Sequence, residues 1–247
     1  NVDLWCVHPI MHLSIKFEMT LHHKTLCIDL GLAEYKQSWD YQEQMCRQLQ
    51  KAVLNGSYAN ACNYLLFVEH PHVYTLGKNG KPGNLLVNSK FLNKIGASFC
   101  MTNRGGDITY HGPGQIVVYP LFYLEAFRMG VRQYIENLEE AVIRMLNDYQ
   151  IKAMLMPGAI GVWLDADTPA ARKICAIGVR VSRGISMHGL ALNVNTRLEY
   201  FNYIHPCGFV DKGVTSMEKE LHSNLNIHEV KENLRGKLAK AFDLEFV

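Results

Sequence analysis

The chain has 247 residues, 48% of them apolar, and a formal charge of +2. That length and apolar share support one large core, or two at most, and a charge so near neutral gives no polyelectrolyte signal for nucleic acid. No apolar run reaches the roughly 18 residues of a membrane span, and residues 1–19 lack the basic start and apolar block of a secretory signal.

Seven cysteines, at 6, 27, 46, 62, 100, 175 and 207, form no CxxC pair. An odd, scattered set fits free thiols in a reducing cytosol better than a disulfide framework, and no cluster offers the ligands that zinc needs. Residues 1–18 read as an extension of unknown role, and 19–247 as a single domain.

In chain order, TLCIDLG (25–31) predicts a strand. Tyr35, Trp39, Met45, Leu49 and Val53 then recur at helical spacing, and Asn55-Gly56 supplies a stop, which predicts a helix near 33–54. NYLLFVE (63–69) predicts a strand, and residues 70–86 start extended before turning into a Gly/Lys/Pro loop. ASFCMTN (97–103) and QIVVYPLFYL (115–124) predict strands on either side of a glycine-rich run. In 131–149, Ile135, Leu138, Val142, Met145 and Tyr149 make one apolar helix face. IGVWL, KICAIGVRVS and ISMHGLALNVN read as consecutive strands, and IHEVKENLRGKLAKAFDLEF as an amphipathic helix. Strands in runs, with helices between some of them, predict an α+β domain with a mixed or antiparallel sheet.

Three stretches look wrong for scaffolding alone. RGGDITYHGPGQIVVYP (104–120) carries four glycines beside a strand that should be buried, with Arg104 and His111 at two ends of the loop. Glycine lets backbone approach a ligand closely, so a binding loop and a bulged hairpin are the two readings. ARKICAIGVRVSRGISMHGL (171–190) has four basic residues and no acidic one. In a regular strand Lys173, Cys175 and Ile177 share a face, and Lys173 either snorkels at a strand end or is held in a site. In FNYIHPCGFVDKGVTSM (201–217), Cys207 sits between Pro206 and Gly208, as an incidental loop thiol or as one presented to a substrate.

Taken together and in order, RGGDITYHGPGQIVVYPL, KICAIGVRV, HGLALNVN and HPCGFVDKGVTSM, with EHPHVYTLG (69–77), resemble the lipoyl(octanoyl) transferase family of lipoate biosynthesis. The resemblance spans about residues 25–220. It implies a biotin/lipoate ligase-like catalytic domain, with a mixed, largely antiparallel sheet and flanking helices. It implies Cys207 as thiol nucleophile and Lys173 as the group that activates it. Substrate-binding backbone maps onto Arg104, Gly105, Gly106, Asp107, Ile108, Thr109, Tyr110 and His111, onto Ala176, Ile177 and Gly178, and onto Gly189, Leu190 and Ala191. The glycine loop would wrap one side of an acyl tunnel, and the strand after it would form part of the wall. Cys175 departs from the small residues, such as Ala, usual at its position. In a regular strand it would lie about 7 Å along from Lys173, either as a second thiol open to oxidation with Cys207 or as an apolar filler.

The activity implied is transfer of an octanoyl group from octanoyl-acyl carrier protein, through a thioester on Cys207, to a lysine of lipoyl domains of 2-oxoacid dehydrogenase complexes and of the glycine-cleavage H protein. No cofactor, metal, nucleic acid or membrane is implied. Thioester exchange is nearly isoenergetic and amide formation is downhill, so ATP is unnecessary. The basic run 172–183 is either a steering surface for acidic carriers or a solvated strand. The alternatives are an ATP-dependent lipoate or biotin ligase on the same fold, and a non-catalytic acyl-carrier-binding module. The bacterial cytoplasm is the expected location, ahead of the mitochondrial matrix.

Overall fold

The computed structural model describes residues 23–205 and 212–247. The expected extension 1–18 and Cys207 lie outside the described residues.

A run of apolar residues too short for a helix, buried on both faces, is best satisfied in the middle of a sheet. β2 (Asn63–Glu69) and β6 (Gln115–Leu121) are such runs, and all seven residues of β6 are buried. With β1 (His23–Leu32), β7 (Met154–Met156), β8 (Ala159–Leu164), β9 (Arg172–Ser182), β10 (Ile185–Asn193), β11 (Gly213–Val214) and β12 (Leu244–Phe246) they form one sheet. Its order is β12-β1-β2-β6-β10-β9-β8-β7, with β11 alongside β9. β1 pairs parallel with β2 and β12, and β11 parallel with β9; the other pairs are antiparallel.

Helices cover both faces. α1 (Tyr35–Leu54) buries Tyr35, Ser38, Gln42, Met45 and Leu49 at three- and four-residue intervals, the spacing of a single helical stripe. Gly56 at φ +68 follows its last turn. On the opposite face lie α3 (Val131–Asp148) and α5 (Ile227–Phe242), whose Leu138, Val142, Met145, Leu234, Leu238 and Phe242 pack on Phe67, Ile116, Val118, Leu190 and Leu192.

A second sheet, β4 (Ser98–Met101), β3 (Val73–Leu76) and β5 (Ile108–His111), has its own apolar cluster with the 3-10 helix Leu198–Tyr203. β5 lies inside the glycine-rich run that the sequence marks as a loop. Its pairing with β3 (Thr109 opposite Thr75, His111 opposite Val73) supplies the hydrogen bonds that the glycines cannot specify locally. α2 (Ser89–Lys94), α4 (Met217–Leu221), β7 and β12 are further elements not predicted. Each has six residues or fewer, too few to display a period. Ser216 caps α4 by accepting from the Lys219 amide.

Candidate active site

The two sheets meet over a cavity of about 650 Å³. One side is the glycine loop 104–107 with Thr109 and His111. The other is the face of β6, β9 and β10 that carries Val117, Tyr119, Ala176, Gly178, Gly189 and Ala191. The loop is fastened to the large sheet by the Gly105 amide, which donates to the Val179 carbonyl at 2.9 Å.

Small residues make this approach possible. A Cβ on Gly178 would stand 3.0 Å from the Gly105 carbonyl oxygen, and one on Gly189 would stand 2.1 Å from that of Val118. Gly178 faces Gly189 and Ala176 faces Ala191 across the β9–β10 ladder. Four side chains of one carbon or none thus leave a flat slot along two neighbouring strands.

Lys173 stands at one end of the slot. Its Nζ donates to the Ile160 carbonyl at 3.1 Å and lies 4.5 Å from the centre of the Trp163 ring. An ammonium over an indole face is an electrostatically favourable pair. The direction of Lys173 depends on a bulge. Val162 pairs with Cys175 and Trp163 with Lys173, so two steps on β9 oppose one on β8, and Ile174 is the extra residue. The bulge reverses the alternation expected of a regular strand: Lys173 does not share a face with Cys175. Cys175 is fully buried in the core beneath α3 with Ile174, and burial pushes its thiol far above the ordinary range. The apolar-filler reading of Cys175 stands.

A buried polar network forms the inner wall. Arg104 donates from Nη2 to the Thr75 carbonyl (2.6 Å) and hydroxyl (2.9 Å), and from Nη1 to the Gly105 carbonyl (3.0 Å). Gln115 Nε2 donates to Asn193 Oδ1 at 2.9 Å and to the Tyr110 carbonyl. Its Oε1 is therefore the acceptor for His111 Nδ1–H at 2.8 Å, and Thr75 Oγ1, 3.3 Å away, faces His111 Nε2. Asn193 Nδ2 continues to the Thr215 carbonyl, while the Thr215 amide donates to the Lys173 carbonyl at 2.9 Å. The imidazoles are neutral: burial holds His111 well below its ordinary pKa and lowers His70 to about 4 and His188 to about 3.

All the substrate-binding positions expected from the sequence line the cavity except Tyr110. Successive strand residues face opposite ways; Thr109 and His111 look into the cavity, and Tyr110 turns into the small-sheet core, its hydroxyl 2.7 Å from His72 Nδ1. β6 forms part of the wall, as expected. Cys207 lies outside the described residues. On the near side of it, the His205 amide donates to the Asn84 carbonyl, and Asn84 donates to Asp107 of the glycine loop at 2.5 Å. On the far side, Lys212 lines the cavity, and Val214 pairs with Lys173.

Trp163, Thr75, Gln115, Asn193, Tyr35 and Tyr119 belong to this site and were not singled out as its members by sequence. Trp163 had a weak signal, an indole in the strand just before the basic run; the others look like ordinary strand or helix residues. The basic run 172–183 is not one surface. Arg172 is bound by Glu220 through two 2.7 Å hydrogen bonds and pairs with Asp165, and Arg180 and Arg183 line a separate hollow against α1 at the far end of β9.

Residues 34–239 match the family described as lipoyl protein ligase A/B catalytic domain. An octanoyltransferase of Bacteroides fragilis is 52% identical over 219 residues, covering 88% of this chain and 98% of that protein. One from Bacteroides thetaiotaomicron is 50% identical over 217 residues, covering 88% and 95%. The fold is similar to that of a bipartite lipoate protein ligase of Thermoplasma acidophilum, with a TM-score of 0.65 at 16% identity over 92% of this chain and 86% of that one.

Proposed function

This chain belongs to the lipoyl protein ligase A/B catalytic-domain family, and we infer that it is an octanoyltransferase acting in protein lipoylation. The observation that carries this reading is its 52% identity, across 88% of its length, to an octanoyltransferase. The slot of Ala176, Gly178, Gly189 and Ala191 leading away from Lys173 supports it. The slot suits an unbranched acyl chain, which gains about 0.8 kcal/mol for each buried methylene.

The donor is an octanoyl thioester on an acyl carrier protein. Cys207 is the nucleophile. A free thiol, with a pKa near 8.5, is only a few per cent ionised at neutral pH, and a neighbouring ammonium favours the thiolate. Lys173 fills that role. The Cys207 thiolate attacks the thioester carbonyl; the carbon–sulfur bond to the carrier breaks, and the Lys173 ammonium protonates the departing thiolate. Lys173 is left neutral. It then takes the proton of the acceptor amine as that amine attacks the acyl-enzyme, and Cys207 leaves as a thiolate. The original ion pair is restored, an amide has formed, and no nucleotide is consumed. The register of β11 against β9, which sets Val214 beside Lys173, supports this pairing across 34 positions of sequence.

The acceptors are lysines of lipoyl domains of 2-oxoacid dehydrogenase complexes and of the glycine-cleavage H protein. The place of action is the cytoplasm, a reading supported by the identity to bacterial octanoyltransferases; among the described residues no helix is long and apolar enough to cross a membrane.

Mixing the protein with octanoyl-carrier protein, without ATP, and weighing it intact tests the reading. A gain of one octanoyl group that is absent in Cys207→Ala and discharged by an apo lipoyl domain is the expected result. An acyl-adenylate formed only with ATP would replace it with ligase chemistry, and no adduct with retained carrier binding would leave a binding module.

A further inference from the structure

β10 departs from regular strand geometry at His188, whose φ is +59. A left-handed conformation at a non-glycine residue is strained and is retained where the surroundings over-determine it. Here the surroundings are identifiable. The His188 amide donates to Gln42 Oε1 of α1 at 2.9 Å, and His188 Nε2 lies 2.7 Å from Asn103 Oδ1, one residue before the glycine loop. The ring packs 5.8 Å from that of Trp39 and 6.4 Å from that of Tyr119, centre to centre. It is fully buried, and it lines the cavity immediately past the Gly178–Gly189 step.

Its position matches the end of an eight-carbon chain. Lys173 to Gly178 is five residues, about 13–17 Å at strand rise once the bulge is allowed for. An extended octanoyl group measures roughly 9 Å from carbonyl carbon to methyl, seven carbon–carbon bonds of about 1.5 Å laid in zigzag. With the carbonyl held a few ångströms in front of Lys173, the methyl reaches Gly178 and Gly189 and meets the imidazole. Behind the ring stand Gln42, whose Oε1 holds the His188 amide, and Trp39; His188 Nδ1, Trp39 Nε1 and Gln42 Nε2 are buried and have no hydrogen-bond partner among the described residues. These atoms are already shut off from water, so a longer chain that pressed on the ring would meet packed protein rather than open space.

We propose that His188 is the chain-length determinant of the acyl slot: its imidazole closes the far end and stops the ninth and later carbons. The proposal rests on the octanoyltransferase reading. Burial keeps the ring neutral, so it closes the slot without placing a charge against the methyl.

The test compares octanoyl-, decanoyl- and dodecanoyl-carrier protein as donors, and binding of the matching free fatty acids by calorimetry. His188→Ala opens the slot, and His188→Gly does so without backbone strain, which keeps the test valid where the alanine variant folds poorly. His188→Gln retains a polar stop of similar size. In both small variants the decanoyl-to-octanoyl ratio of kcat/KM should rise about tenfold, the value of two newly buried methylenes. The decanoate-to-octanoate affinity ratio should rise with it, and His188→Gln should keep the wild-type ratios. A parallel fall for every chain length, with unchanged ratios, would assign His188 a merely structural role and overturn the proposal. The binding series separates the two layers. Altered affinity ratios in a protein that transfers no octanoyl group would reject the transferase reading and keep the length determinant. Octanoyl transfer with unaltered ratios would do the reverse.

Discussion

Lys173 Nζ lies 4.5 Å from the centre of the Trp163 ring and 3.1 Å from the Ile160 carbonyl oxygen, so strand β8 decides where the only proton-transfer group of the proposed mechanism points. Lys173→Ala should lower octanoyl transfer by about 10²–10⁴-fold, the usual range for a lost general acid–base. Lys173→Arg should behave differently. Guanidinium can favour a thiolate but does not deprotonate, so this variant should load with octanoyl, releasing the carrier as a thiolate that takes its proton from solvent, and then fail to pass the group on. Intact mass after addition of an acceptor domain reads this directly; discharge at the wild-type rate would remove Lys173 from the second half-reaction.

Cys175 should be the slowest of the described thiols to react. It is fully buried, and burial raises its thiol far above the ordinary range. Iodoacetamide should modify Cys207 first and leave Cys175 untouched until denaturant is added, as peptide mass mapping over time would show. Peroxide should inactivate wild type and Cys175→Ala at the same rate, because the β9 bulge turns this thiol into the core.

Two glycine substitutions should separate folding from binding. Gly189→Ala places a Cβ 2.1 Å from a carbonyl oxygen of the central strand β6, which cannot retreat without breaking the ladder. A loss of stability of about 1–3 kcal/mol, the range for overpacking, is expected in urea titration. Gly178→Ala presses at 3.0 Å on Gly105 of the loop. It should leave the urea midpoint nearly unchanged and weaken octanoate binding several-fold.

Stability should fall with acid in a histidine-dependent way. His70 is held at about 4, mainly by burial, against about 6.5 in an unfolded chain. A depressed histidine contributes stability that is fully present above 6.5 and is lost as pH drops toward 4, because only the unfolded state takes the proton. Each such group adds about 1.4 kcal/mol per pH unit to the slope. His70 Nδ1 donates to the Ala33 carbonyl, and Nε2 accepts from the Tyr119 hydroxyl at 2.8 Å. A Gln amide can make both bonds, so His70→Gln should flatten the urea-midpoint profile between pH 6.5 and 4 by about one proton. An unchanged slope would mean that His70 is charged in the folded protein.

The long elements were legible because their burial is periodic or continuous. α1, α3, α5 and the runs that became β2, β6, β9 and β10 announce themselves within a dozen residues. β5 did not, since its partner Val73–Leu76 lies over thirty residues upstream. The facing of Lys173 and Cys175 was misread for a related reason: a bulge is a property of two strands, and nothing in KICAIG marks Ile174 as the extra residue. The basic run misled because Glu220, which binds Arg172, is 48 positions away. The site's motifs were readable as a resemblance, but its polar wall was not. Thr75, Gln115 and Asn193 acquire their meaning only when three strands bring them within hydrogen-bonding distance.

Among the described residues there is one apolar cluster beneath α3 and α5, another beneath α1, and a third inside the small sheet. The proposed acyl cavity occupies the seam between the small sheet and the large one, where the fastenings are polar, such as Gly105 to Val179 and His111 to Gln115. Thermal hardening and substrate access therefore draw on different parts of the molecule. Filling or stiffening any of the three apolar clusters can raise the melting temperature while leaving the seam as it is. An engineer seeking a durable catalyst for longer or shorter acyl groups can treat robustness and selectivity as separable design variables.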